Sequence, residues 1–103
     1  MTPGLLAEGT LVTAEVVGHQ LWGVTVRLVP PAPDVTGVID VLYVTNERPF
    51  EPFRDYPAVG SRVQAVVMSY APNGQLRLST RDSDLDPVLE AGPVSSADLR
   101  ADI

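Results

Sequence analysis

The chain has 103 residues, with 7 basic residues (all Arg), 13 acids and a formal net charge of −6, which is room for one domain with a modest core. It contains no Cys, so a disulfide framework and a thiolate metal centre are both excluded. Ten Pro and eight Gly cut the chain into short pieces and argue against long helices.

The opening stretch, MTPGLLAEGT, lacks a basic residue ahead of an apolar run, so no secretion signal is expected. No segment approaches the ~18 apolar residues of a membrane span. These features predict a soluble, cytoplasmic protein, and a bacterial one is expected. From Leu11 to Val17, Val12, Ala14 and Val16 alternate with Thr13 and Glu15, the period of a half-buried strand. Gly18-His19-Gln20 reads as a turn. A second strand follows over 22–28, with Val24, Val26 and Leu28 on one face, and Gly23 suggests a bulge or sharp bend within it. Pro30, Pro31 and Pro33 end that strand.

Gly37 to Val44 is a third apolar run, with Asp40 in its middle. Residues 45–58 carry Pro49, Pro52 and Pro57 among Phe50, Phe53 and Tyr56, and prolines at that density predict a structured loop rather than a helix. Its rings either plug an open end of a barrel or form an exposed binding surface. A fourth strand is expected from Arg62 to Tyr70, with Val63, Ala65 and Val67 inward. Asn73-Gly74 then signals a hairpin, and a fifth strand spans 75–80, with Leu76 and Leu78 inward and Gln75, Arg77 and Ser79 outward. Five short strands separated by turn signals point to an all-β barrel or sandwich.

Beyond residue 81 the character changes. Residues 81–103 carry two Arg against six acids, while residues 1–80 carry five against seven, so most of the excess negative charge lies in the last segment. Asp86-Pro87 is expected to start one short helix and Ser95-Ser96-Ala97-Asp98 another, or the segment is disordered. The division expected is a barrel domain over 1–81 and an acidic extension over 82–103.

In order and spacing, residues 9–81 resemble the S-one RNA-binding domain of ribosomal proteins, an OB-fold family. Gly9-Thr10-Leu11-Val12 with Ala14 and Val16 is similar to that family's first strand, and Trp22-Gly23-Val24-Thr25-Val26 to its F-G-x-F-V. Gly37-Val38-Ile39-Asp40 is similar to its G-L-V-H, Val59-Gly60-Ser61-Arg62-Val63 to its V-G-x-x-V, and Leu76-Arg77-Leu78-Ser79 to its closing I-x-L-S. The resemblance implies a closed five-stranded OB barrel that binds single-stranded RNA on the outer face of strands two, three and five. The residues it places there are Trp22, Thr25, Arg27, Asp40, Arg77 and Arg81. Trp22 keeps the family's first ring, and Arg77 and Arg81 serve phosphates with Arg27 beside them. Thr25 replaces the second ring, and Asp40 replaces a His with a carboxylate that repels phosphate. Losing one stacked ring costs about 1–3 kcal/mol, so weak RNA binding is expected.

The alternative is a protein-interaction module that has lost its RNA face, whose acidic extension suits a basic protein partner. In a variant of this reading the extension folds over the Arg face and competes with RNA. No enzyme is expected: His19 is the sole His and has no neighbouring nucleophile. Asp82, Asp84 and Asp86 lack the Gly and closing Glu of a calcium loop, and no phosphate-cradling Gly-rich motif is present. No metal or cofactor is therefore expected.

Overall fold

A computed structural model describes residues 6–91. Five strands, β1 (Leu11–Gln20), β2 (Gly23–Leu28), β3 (Thr36–Asp40), β4 (Arg62–Tyr70) and β5 (Leu76–Ser79), are followed by one helix, α1 (Asp82–Ala91). The strands close into a barrel in the order β1-β2-β3-β5-β4. All neighbouring strands are antiparallel except β3 and β5, which run parallel. Closure leaves no free sheet edge. The expected all-β, five-stranded OB barrel is therefore what the chain forms.

The period-two positions build the interior. Val12, Ala14 and Val16 from β1, Val24, Val26 and Leu28 from β2, Ile39 from β3, Ala65 and Val67 from β4, and Leu76 and Leu78 from β5 form one buried cluster. β-branched side chains dominate it, as suits a pleated wall. The fifth strand is entered through the expected turn: Gly74 takes φ +88° and its N–H donates to Ala71 O at 2.7 Å.

The segment Gly18-His19-Gln20 is not a turn. β1 continues through it, and the pairing slips between Val16↔Val26 and Gly18↔Thr25, so Val17 is the extra residue of a bulge. The slip reverses the alternation. His19 thereby pairs with Val24 on the inward side and reaches the barrel end, where its Nε2 donates to Pro57 O at 2.8 Å. The chain reverses instead at Leu21-Trp22, between the paired residues Gln20 and Gly23. The 45–58 loop does close that end of the barrel. Tyr56 is buried, donates to the carbonyls of Gln20 and Leu21 at 2.8 and 3.2 Å, and packs against His19 and Phe50. Phe53 stays half-exposed.

Two further expectations are corrected. Ser79 has the outward alternation but is fully buried, because α1 lies over it. Its hydroxyl donates to Asp84 at 2.6 Å. The helix begins at Asp82, so Pro87 falls inside it rather than at its first position. There Pro87 removes the N–H that would have bonded to the carbonyl of Ser83, four residues back. α1 packs on β4, and Pro87 and Val88 line a cleft with Val66, Val67 and Met68. The expected helix at Ser95 lies outside the described residues.

Candidate nucleic-acid interface

One row of partners crosses the open side of the barrel: Gly18 on β1, Thr25 on β2, Val38 on β3, Arg77 on β5 and Ser69 on β4. The glycine keeps this row shallow, since a Cβ at Gly18 would come within 2.6 Å of Thr25 Oγ1. Val38 is buried here although it lies outside the core cluster, flanked by Thr25 and Arg77. The adjacent row pairs Gly23 with Asp40. Gly23 takes φ +155°, and a Cβ there would overlap the Ile39 carbonyl oxygen. Only glycine lets β2 and β3 approach this closely.

Trp22 stands at the end of this face, 50% exposed. Its carbonyl accepts the Val41 N–H at 2.8 Å, which fixes the hairpin against the single 3-10 turn Val41–Tyr43. Asp40 caps that turn: its Oδ1 accepts the Leu42 N–H at 3.0 Å. The carboxylate faces the hairpin closely enough to act on Tyr56, whose phenol is pushed up first by burial and then by the Asp40 charge. Where the end of β3 and the 3-10 turn meet β4 and β5 lies a small cleft of about 60 Å³, lined by Asp40, Tyr43, Met68, Ser69 and Arg77.

The six residues expected at this face divide into two sets. Trp22, Thr25, Asp40 and Arg77 come together around the hairpin and the cleft. Arg77 is exposed and makes no ion pair among the described residues. Arg27 lies on the same strand face, but Nε and Nη2 donate to Asp34 at 2.7 and 2.8 Å. This bidentate bond and the Arg27 charge hold the Asp34 carboxyl below its usual value. Arg81 is held twice. Its Nε donates to Asp84 at 2.8 Å, and its guanidinium carbon lies 4.3 Å from the centre of the Tyr43 ring, a cation–π arrangement. Asp84 is pushed up by burial, but the hydrogen bonds from Ser79 and Arg81 outweigh that and its carboxyl lies below its usual value.

Tyr43 was not singled out in the sequence. Its one signal was an aromatic near the end of the third apolar run, and its role depends on the 3-10 turn that aims it back at β5. The described part of the acidic extension lies against β4 and engages one Arg of the expected face, Arg81, through Asp84.

No protein-family model and no curated protein matches the sequence. Solved structures do resemble the chain. The a/eIF2alpha–aDim2p–rRNA complex from Pyrococcus horikoshii gives a TM-score of 0.66 at 24% identity, over 84% of this chain and 52% of that one. The intact alpha subunit of aIF2 from Pyrococcus abyssi gives 0.65 at 23% identity, over 89% and 38%. GSP13 from Bacillus subtilis gives 0.62 at 22% identity, over 96% and 73%. The chain thus spans about half of the first structure's chain and well under half of the second's. With the strand order β1-β2-β3-β5-β4 closed on itself, the chain shares the fold of these structures, a closed five-stranded OB-type barrel.

Proposed function

We propose that the chain is a non-enzymatic module of the cytoplasm that binds single-stranded RNA weakly across the β2–β3–β5 face. One observation carries this reading: the half-exposed indole of Trp22 stands at the end of an uncovered face on which Arg77 has no partner among the described residues. An exposed ring offers any base a stacking surface, and a free guanidinium beside it takes the phosphate. A solved structure of the same fold is a complex that contains rRNA. Four features of the face support weak rather than tight binding. Thr25 offers no ring, Asp40 repels phosphate, and Arg27 and Arg81 already hold carboxylates.

Fluorescence anisotropy with a labelled ten-nucleotide RNA, together with quenching of the single Trp, tests the proposal. Binding is expected in the micromolar range at low salt. The slope of log K against log salt should be shallow, about −0.7 for each phosphate neutralised. No anisotropy change at high micromolar protein and low salt would remove the proposal.

A second reading rests on a different observation. Leu21 and Leu42 are 71% and 63% exposed and flank Trp22 at the barrel end, with half-exposed Phe53 on the neighbouring loop. Exposed apolar clusters of this kind mark protein contacts, so a protein-interaction module is the alternative. Nuclease treatment separates the two: a partner retained from a cell extract after nuclease favours this reading, and loss of all bound material favours RNA.

A further inference from the structure

The carboxylate at position 40 is the feature of the face that RNA binding alone leaves unexplained. Asp40 lies in the row next to Trp22 through its pairing with Gly23, and it shares the small cleft with Arg77. It has no cation within ion-pairing distance among the described residues. Its orientation is nevertheless fixed, because Oδ1 accepts the Leu42 N–H at 3.0 Å. Oδ2 has no donor among the described residues, and one lone pair of Oδ1 remains. The site is therefore a preoriented acceptor beside a stacking ring.

Bases differ in what they offer such an acceptor. Guanine alone presents two adjacent donors, N1–H and the 2-amino group, on its Watson–Crick edge. Adenine and cytosine each place a ring-nitrogen acceptor next to their amino donor, and uracil flanks its single N–H with two carbonyls. An ionised carboxylate, which only accepts, is satisfied by the guanine edge and repelled by part of every other. Unstacked bases in single-stranded RNA are read on these edges.

We propose that Asp40 makes this face selective for guanine: the base stacks on Trp22, its N1–H and 2-amino group donate to the Asp40 carboxylate, and Arg77 takes the neighbouring phosphate. The inference rests on the RNA-binding reading and narrows it to one base. Asp40, placed where the related domains carry a His, is then a specificity-determining residue.

The test uses the whole chain and labelled decauridine, compared with the same oligonucleotide carrying one central G, A, C or inosine. The G-containing RNA is expected to bind roughly tenfold tighter than decauridine, within the discrimination that a bidentate base contact provides. A and C should give no such gain, and inosine, which lacks the 2-amino group, should fall between. Asp40→Asn keeps an oxygen to cap Leu42, so the fold survives, as circular dichroism will show, but it presents an amide donor to the base. This variant should tighten the decauridine complex and reduce the G advantage to within about twofold, below the roughly fivefold that the weakest bidentate base contact provides. Equal binding of G and A by the native chain overturns the inference, as does a G advantage that survives Asp40→Asn. In both cases decauridine still binds and the RNA reading stands. If decauridine and all four substituted RNAs fail to bind, the RNA reading itself falls and takes this one with it.

Discussion

The two outer flanks of the barrel are built from the same kind of strand and finished in opposite ways. On the β4 side, the outward Val66 of β4 and Ser79 of β5 are buried because α1 lies across them. Every polar group drawn into that contact finds a partner: Ser79 donates to Asp84, and Arg81 donates to Asp84 and lies on Tyr43. On the β2–β3–β5 side nothing in the described chain covers the strands. Trp22 remains half-exposed and Arg77 unpaired. The difference shows that surface area is not what this barrel lacks. It has a helix available to cover one flank and leaves the other open, together with the groups that a stacked base and a phosphate would satisfy.

The comparison breaks most severely if the open flank is forced apart. Gly23→Val should push its side chain into the Ile39 carbonyl and cost ~3 kcal/mol or more, at the upper end of overpacking effects. Urea unfolding followed by circular dichroism measures this. A loss below about 1 kcal/mol, the size of an ordinary substitution, would mean that the β2–β3 seam is less tight than its geometry indicates. Next in size, Trp22→Ala should leave the fold intact and weaken RNA binding by about 1–3 kcal/mol, roughly 5- to 150-fold. An unchanged affinity would move the binding surface away from the open flank.

The covered flank has its own lever. Asp84→Ala leaves the buried Ser79 hydroxyl, which still accepts the Arg81 N–H at 3.1 Å, with the Tyr43 carbonyl at 3.4 Å as its one acceptor, and it frees the Arg81 guanidinium, so a loss of about 1–2 kcal/mol is expected. The pH dependence fixes the sign. The folded-state value of Asp84 lies below its unfolded value near 3.8, so its contribution is complete above that pH and drains away as pH falls through the lower folded value. Unfolding curves of the native chain and the variant should therefore differ most near neutrality and converge below pH ~3.8. Parallel curves down to pH 2 would place the stabilisation elsewhere.

The barrel itself was legible because Val and Leu at every second position leave few alternatives, and because Asn73-Gly74 marks its hairpin. What escaped reading depends on partners that are distant in the chain. Gly18 with two polar neighbours looks like a turn until its pairing with Thr25 shows a bulge, and only that bulge sends His19 inward. Ser79 has the alternation of an exposed residue, and its burial depends on a helix that begins four residues before Asp86. The site was half legible. Trp22, Asp40 and Arg77 follow from the resemblance, but the capture of Arg27 by Asp34 across the proline loop leaves no mark in the sequence. Tyr43 gains its place only through the 3-10 turn after β3.

That capture offers the finest way to sharpen the contrast between the flanks. Arg27 lies four residues along β2 from Gly23, about 13 Å at strand spacing, which is within reach of the next nucleotides of an RNA held on Trp22. Exposed pairs of this type contribute little to folding, so Asp34→Asn should leave the unfolding midpoint almost unchanged. It should, however, release the guanidinium to the open flank. RNA affinity is then expected to rise about two- to threefold at low salt, with the salt slope steeper by ~0.7, the signature of one more neutralised phosphate. A steeper slope would show that the RNA path runs the length of β2. An unchanged slope would confine it to the hairpin and the cleft, leaving Arg27 and Asp34 as a clasp for the β2–β3 loop.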